Sequence, residues 1–502
     1  MKAIIPVFTS ETKRPIYLQL YDYIKESILS GEMSENEKLP SLRTLAKSLS
    51  LSLTTVTSAY EQLEVEGYIY SKPQSGYYIR SVRIIGLAAP NGANADFPAS
   101  KGSSGNNSSG SESDCSKDIT AAQALINSGS YDFSAAEPFN SLYSTPQYKY
   151  DLACFDFTKW KKCMSQVLTE HADLLMFESD PQGEAALRYE LCKYLFSARG
   201  VKCTPDQIVI GAGTQQITGS LSLIFRNYGI NHVVVEDPGY IPARHIFRDH
   251  GFAVTPVPVN ENGILIEKLP ANIRTAAYIN PGNQFPTGAV IPIGNRYKLL
   301  AWAVQNDSFI IEDDYDSELR YAGKPIPSMQ GLDTENRVIY LGSFSSTLFS
   351  SVKISYMVLP EQLSQIFLTI KDDYTQTCSK AEQLTLALFM ARGLYQINIK
   401  KLRTLYAQKL QKLLAAIDKY GKNLVFPVNT ASGINITVTI ASSKAPEILV
   451  DEAARFGVPV QPIKTKDTAA SASDSTYILY YNQIPIDEIE PSIKAIIETW
   501  KH

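Results

Sequence analysis

At 502 residues the chain is too long for one hydrophobic core, and its 44% apolar and 20% charged content is that of ordinary globular protein. A formal net charge of −4 excludes a basic footprint over the whole molecule, although a small nucleic-acid-binding module fits inside an acidic total. Six scattered cysteines with no CxxC and no Cys/His spacing argue against a disulfide framework, and no metal site is expected. The first apolar run, Ala3–Phe8, is short and contains Pro6, and no later run reaches membrane-spanning length. A cytoplasmic protein with no membrane partner is expected.

Tyr17, Leu20, Tyr21, Ile24 and Ile28 fall at helical spacing, with Gly31 as a stop. Ser41 caps a short helix carrying Leu42, Leu45, Ala46 and Leu49, and Ser52 caps a third with Val56, Ala59, Tyr60 and Leu63 on one face, ended by Gly67. Tyr68–Lys72, a turn over Pro73–Gly76, and Tyr77–Arg80 read as a β-hairpin. Three helices and a hairpin over 10–80 predict an α+β winged helix-turn-helix, whose second helix of the pair enters the major groove of double-stranded DNA. Ser52, Thr54 and Thr55 bring hydroxyls to the start of that helix, where backbone amides already favour anions. Arg43, close behind Ser41, is placed for a phosphate, and Lys72, Gln74 and Gly76 set the hairpin tip against the minor groove. The plainer reading makes Ser41 and Ser52 simple caps and the module a protein-binding one. Spacing alone leaves both readings open.

The stretch Pro98–Ser116, nearly all small and polar, buries too little apolar surface to offset chain entropy, so 81–130 is expected to be a flexible tether. Beyond it, β-rich runs at Gln207–Gly211, His232–Glu236, Thr275–Asn280, Ser308–Asp313 and Arg337–Gly342 alternate with helical segments such as Gln215–Phe225 and Tyr297–Asn306. That alternation predicts an α/β domain with a mostly parallel sheet over 131–502. Its large subdomain is expected over about 170–370. A smaller α+β subdomain is expected from 131–169 plus 371–502, with strands near Gly433–Ile440 and Thr476–Tyr480.

Ligands of open parallel sheets gather beyond the carboxyl ends of the strands. Those ends carry Ala212-Gly213-Thr214-Gln215, a small-residue turn suited to phosphate, then Asp237-Pro238-Gly239-Tyr240, Asn283-Gln284-Phe285-Pro286-Thr287-Gly288, Asp313-Asp314-Tyr315 and Ser343-Phe344-Ser345-Ser346-Thr347. A phosphate cradle, aromatics, an acid–phenol pair and a hydroxyl cluster thus converge.

Two resemblances follow from these residues. Pro15-Ile16-Tyr17, Gln19-Leu20, Leu39-Pro40-Ser41, Arg43, Leu45-Ala46, Thr55-Val56, Ala59-Tyr60, Leu63 and Glu66-Gly67-Tyr68 resemble the GntR family of bacterial regulators. There Arg usually follows the capping Ser, where this chain has Leu53. The segments 236–240, 283–288 and 312–321 resemble fold-type I pyridoxal-phosphate enzymes, and the two together resemble the MocR/GabR subgroup. The resemblance implies that Thr214, Gln215, Ser343 and Ser345 hold a cofactor phosphate, that Tyr240 packs near the ring, that Asp313 pairs with the ring nitrogen and that Tyr315 bonds the ring hydroxyl. Asn283 stands where the family usually has His, Lys353 where it has a phosphate-binding Arg, and Ser355 where Gly often follows. Ser346 stands where the family has the lysine that attaches the cofactor. No catalytic residue is therefore expected. The expectation is a homodimeric DNA-binding regulator that senses a small ligand, either pyridoxal phosphate without a covalent link or its adduct with an amino acid or amine. The alternatives are a dimerisation scaffold that has lost the cofactor and, less favoured, an active aminotransferase.

Overall fold

The computed structural model describes residues 15–80 except 31, 50, 73 and 74, and residues 151–501 except 321–326, 429, 431–432 and 464–474. The expected stop at Gly31, the wing-tip Gln74, the 81–130 tether and residues 131–150 lie outside the described residues.

The N-terminal module consists of α1 (Ile16–Leu29), α2 (Leu42–Ser48), α3 (Leu53–Val65) and the antiparallel hairpin β1 (Ile69–Lys72) and β2 (Gly76–Ile79). Both expected caps form: the Ser41 hydroxyl accepts from Thr44 N at 3.2 Å and the Ser52 hydroxyl from Thr55 N at 3.0 Å. Leu20, Ile24, Leu45, Val56, Tyr60 and Leu63 meet in one core, each side chain contributing about 1.5–3 kcal/mol on burial. The Tyr60 phenol donates to Pro40 O at 3.0 Å, so this buried aromatic leaves no polar group unmet.

That core does not stop at the module's edge. Ile293, only 2% exposed, belongs to it, and Tyr297 and Leu332 pack against it. Ile293 N donates to Glu66 O at 3.2 Å, joining the end of α3 to the start of α7 (Ile293–Gln305). Gly67 has φ +80, and a Cβ there would lie 3.3 Å from Ile293 N, so this close approach requires glycine.

The C-terminal region has an eight-stranded sheet in the order β3-β10-β9-β8-β7-β4-β5-β6. Its strands are β3 (Ile208–Ala212), β4 (His232–Asp237), β5 (Ala253–Asn260), β6 (Gly263–Ile264), β7 (Ala276–Ile279), β8 (Phe309–Asp313), β9 (Val338–Ser343) and β10 (Ile354–Val358). The run from β9 to β5 is parallel, as expected, while β10 lies antiparallel to both β3 and β9. β5 is not among the strands expected from sequence; its Pro256 and Pro258 lie in the pairing with β4.

The helices α4 (Phe157–Glu170), α5 (Ala185–Arg199), α6 (Gly213–Tyr228), α8 (Lys380–Ala391) and α9 (Leu394–Tyr420) frame the sheet. The small subdomain is an antiparallel sheet in the order β11 (Val425–Pro427), β12 (Ile436–Ile440), β14 (Ser475–Leu479), β13 (Val460–Pro462), packed on α9 and α10 (Ile489–Trp500). Its extent differs from the expected 131–169 plus 371–502. Phe155, Trp160 and Cys163 pack with Leu191, Ile208 and Tyr356 in the large subdomain's core, as do Phe389, Tyr395 and Ile399. The small core takes over only at Leu402. The crossover falls inside α9, whose 27 residues span about 40 Å and serve both cores without a break.

Truncating Ile293 to Ala should cost about 2–5 kcal/mol, because it opens a cavity in the core shared by reader and large subdomain. Urea unfolding followed by circular dichroism checks this. A change well under 1 kcal/mol would mean the shared core does not form.

Candidate functional site

One corner of the site lies where β3 turns into α6. No side chain caps the α6 N-terminus, and Ala212 N donates instead to Thr377 Oγ1 at 3.0 Å. Gly213 has φ +85, and nothing but the Lys353 Cδ comes within 4.0 Å of a Cβ built there. Thr214 is half-buried and Gln215 exposed in the first turn. Antiparallel β10 sets Ile354 beside Ala212 and Ser355 between Gly211 and Ser343. Ser355 Oγ donates to Ser343 Oγ at 3.0 Å, and Ser345 N donates to the same oxygen at 3.3 Å. An open helix N-terminus, seryl hydroxyls and the side chain of Lys353 therefore share one corner, a combination that favours a phosphate.

The 343–346 segment leads to a second, more buried corner. Ser346 Oγ donates to Tyr315 O at 2.8 Å. Asn283 Nδ2 donates to Asp316 Oδ2 at 2.7 Å and to the Tyr315 phenol at 3.2 Å. Tyr240, Phe285 and Tyr315 form an edge-to-face series with centroid spacings of 6.5 and 6.2 Å. Asp313, the last residue of β8, accepts from the Tyr278 phenol at 2.5 Å, and Asn280 Nδ2 donates to its backbone carbonyl at 2.8 Å. Burial pushes the Asp313 carboxyl up to about 6. Asp314, next in sequence, points the opposite way, into an ion pair with Arg199 at 2.7 Å. Strand alternation explains why two adjacent aspartates have different partners.

Several site residues were not singled out from sequence. Glu236, fully buried, is pushed up to about 8 by that burial and accepts from Asn280 N at 3.2 Å and Gln284 Nε2 at 3.1 Å. Gln284 also donates to Pro238 O at 2.9 Å and accepts from the Thr287 hydroxyl at 2.6 Å, which fixes the 283–288 loop. From the small subdomain, Thr437 Oγ1 donates to Pro286 O at 2.6 Å. A Cβ on Gly433 would lie 2.8 Å from Asp316 Oδ2, so the backbone reaches the site only because glycine is there. Glu236 and Gln284 lie within the quoted motifs, and Asp316 follows Tyr315 directly. Nothing local marks Gly433. Among the described residues no group of three or more His, Cys, Asp or Glu could hold a metal ion.

On the N-terminal module, Ser41, Arg43, Ser52 and Thr54 are exposed and Thr55 is half-buried. The Ser41 and Ser52 hydroxyls are engaged as caps, each also 2.7–2.8 Å from a threonine hydroxyl one turn on. Leu53 stands 47% exposed at the start of α3. Lys72 Nζ lies 4.6 Å from the Tyr78 ring and Lys38 Nζ 5.8 Å from the same ring, so Lys38, not singled out from sequence, joins the wing face. Gly76 has φ +109, the conformation the hairpin turn needs.

The family models match in two stretches: bacterial regulatory proteins of the gntR family over residues 16–79, and aminotransferase class I and II over 144–464. The HTH-type transcriptional regulator YdeL of Bacillus subtilis is 35% identical, covering 99% of both chains. A rhizopine catabolism regulatory protein of Rhizobium meliloti, MocR, is 28% identical over 89% of this chain and 86% of its own. The chain is a MocR-type member of the gntR family. As a GntR-type helix-turn-helix protein it binds DNA, and it is a transcriptional regulator with an aminotransferase-like domain. Among solved structures, the C-terminal fold of this MocR-type regulator is similar to a Pyrococcus horikoshii kynurenine aminotransferase (23% identity, 76% of this chain, 98% of that one, TM-score 0.62). It is also similar to LysN, an α-aminoadipate aminotransferase of Thermus thermophilus (22%, 70% and 90%, TM-score 0.60). At these identities the likeness establishes the fold-type I aminotransferase fold.

Because the Glu236 carboxyl rises from 4.5 to about 8 on folding, the folded chain keeps a proton that the unfolded chain releases. Its contribution to stability is complete below pH 4.5 and is lost as pH rises toward about 8. Glu236→Gln should flatten that slope by up to about 1.4 kcal/mol per pH unit, read as urea unfolding from pH 5 to 8.5. Glu312, raised to about 7 by burial, contributes a parallel slope that the variant leaves in place. Equal slopes in variant and parent would mean that Glu236 is ionised in the fold.

Proposed function

We propose that this regulator grips double-stranded operator DNA with α3 and the wing, and that its aminotransferase-like domain senses pyridoxal phosphate, or its adduct with an amino acid or amine, without a covalent link. The observation that carries this reading is the pairing of an open phosphate corner with Ser346, whose hydroxyl donates to Tyr315 O where the resemblance puts an attaching lysine.

The residues present fit the group. The α6 N-terminus with Thr214, Gln215, Ser343, Ser345 and Lys353 would hold the phosphate. Asp313 would face the ring nitrogen and Tyr315 the ring hydroxyl, Asn283 would line the site beside Tyr315, and Tyr240 would pack near the ring. Three buried side-chain oxygens in this region, on Glu236, Asn280 and Asn283, have no hydrogen-bond partner among the described residues, which supports a ligand that supplies one. When bound, the cofactor supplies an electron-withdrawing ring. The protein side lacks the amine that would attach it and move a proton, since a serine hydroxyl does neither at neutral pH. Lys353, beside the α6 N-terminus, is committed to the phosphate corner. Binding without turnover follows, which suits a sensor.

Exposed apolar side chains at Leu174, Met176, Phe177 and Tyr189 support burial against a second copy, and hence a homodimer with two readers. No helix among the described residues is long and apolar enough to cross a membrane.

Saturable thermal stabilisation by pyridoxal phosphate is expected, with no mass added to the 343–353 peptide after borohydride reduction. No stabilisation would sink the sensor reading, and a reduced adduct on that peptide would sink the non-covalent one. For the reader, Arg43→Ala should weaken duplex binding and lower the slope of log affinity against log salt by about 0.9, the share of one phosphate contact. An unchanged slope in a salt series would remove Arg43 from the DNA interface.

A further inference from the structure

The wall beside Ser346 is rich in hydrogen-bond acceptors. Ser346 spends its one proton on Tyr315 O at 2.8 Å. Asn283 directs Nδ2 at Asp316 Oδ2, 2.7 Å away, and at the Tyr315 phenol, 3.2 Å away. Its Oδ1 therefore turns the other way, in a residue 8% exposed, and meets no partner among the described residues. Asn280 Oδ1 is likewise buried without one among the described residues. Gly433 holds the small subdomain's backbone close against Asp316 and Asn283. A buried acceptor left without a donor is costly, so the ligand that completes this wall has to bring N–H or O–H groups of its own.

The two forms of a phosphopyridoxyl ligand differ in this respect. An aldehyde brings one more acceptor and no donor, and Ser346 has no amine with which to convert it. A primary ammonium brings three N–H donors and a positive charge. Burial holds the Asp316 carboxyl far above the usual carboxylate range, and an adjoining ammonium favours its ionised form. Given a phosphopyridoxyl ligand, as proposed above, we infer that this site selects the primary-amine form over the aldehyde, with Asn283 and Asp316 reading the amine. The loss of the lysine then changes what the domain senses as well as removing a covalent link.

Titrating the full-length protein by calorimetry with pyridoxamine phosphate, pyridoxal phosphate and inorganic phosphate tests this. Pyridoxamine phosphate should bind at least tenfold more tightly than pyridoxal phosphate. Asp316→Asn should cut that ratio several-fold, and Ser346→Lys should reverse the order by capturing the aldehyde. Should Asp316→Asn fail to fold by circular dichroism, Asn283→Leu carries the same expectation. An aldehyde that binds as well as the amine overturns the selectivity and leaves the cofactor reading standing. Binding of neither phosphopyridoxyl ligand overturns the cofactor reading and the selectivity with it.

Discussion

A single buried guanidinium organises the middle of this molecule. Arg296 is 1% exposed and donates to Ile291 O and Pro281 O at 2.9 Å each and to Pro327 O at 2.7 Å. Burial lowers it only to about 10, so it stays charged at neutral pH, its charge met by three carbonyl dipoles in place of a bonded carboxylate. By binding carbonyls at 281 and 291 it ties together the two ends of the loop that carries Asn283 and Gln284. It sits in the first turn of α7, whose initial residue, Ile293, is buried in the reader's core. The 281–291 loop and the end of α3 thus hang on one strut, three residues apart. That continuity gives the two halves of a regulator a shared mechanical element.

The site's electrostatics follow from the same burial. Glu236, Asp313 and Asp316 are all raised by desolvation, yet each is held by different donors: the Gln284 amide, the Tyr278 phenol and the Asn283 amide. Asp314, one residue from Asp313, is instead paired with Arg199. Glu236 and Asp316 are therefore poorly ionised at neutral pH, whereas Asp313, raised only to about 6, is not. Ser346, where the resemblance puts an amine, has its proton committed to Tyr315 O.

Much of this was legible in the chain. The caps at Ser41 and Ser52, the parallel strands and the clustering of Tyr240, Asn283, Asp313 and Tyr315 at their ends rest on signals contained within ten or twenty residues: periodicity, cap chemistry and motif spacing. These signals are local because hydrogen bonding and side-chain alternation are local. Ser346 was equally plain, since a missing amine is a fact of composition at one position.

Other features had no local signature. The reach of Gly433 into the site, the insertion of β10 between β3 and β9, the handover between two cores inside α9 and the contact of Gly67 with Ile293 each join residues far apart in sequence. The sequence by itself determined the reader's helices and caps, most of the parallel strands and the hydroxyl at position 346. Only the tertiary structure decided which strands become neighbours, which carboxyls are buried deeply enough to stay neutral and where the reader meets the aminotransferase-like domain, because burial depends on everything packed around a residue and not on its neighbours in the chain.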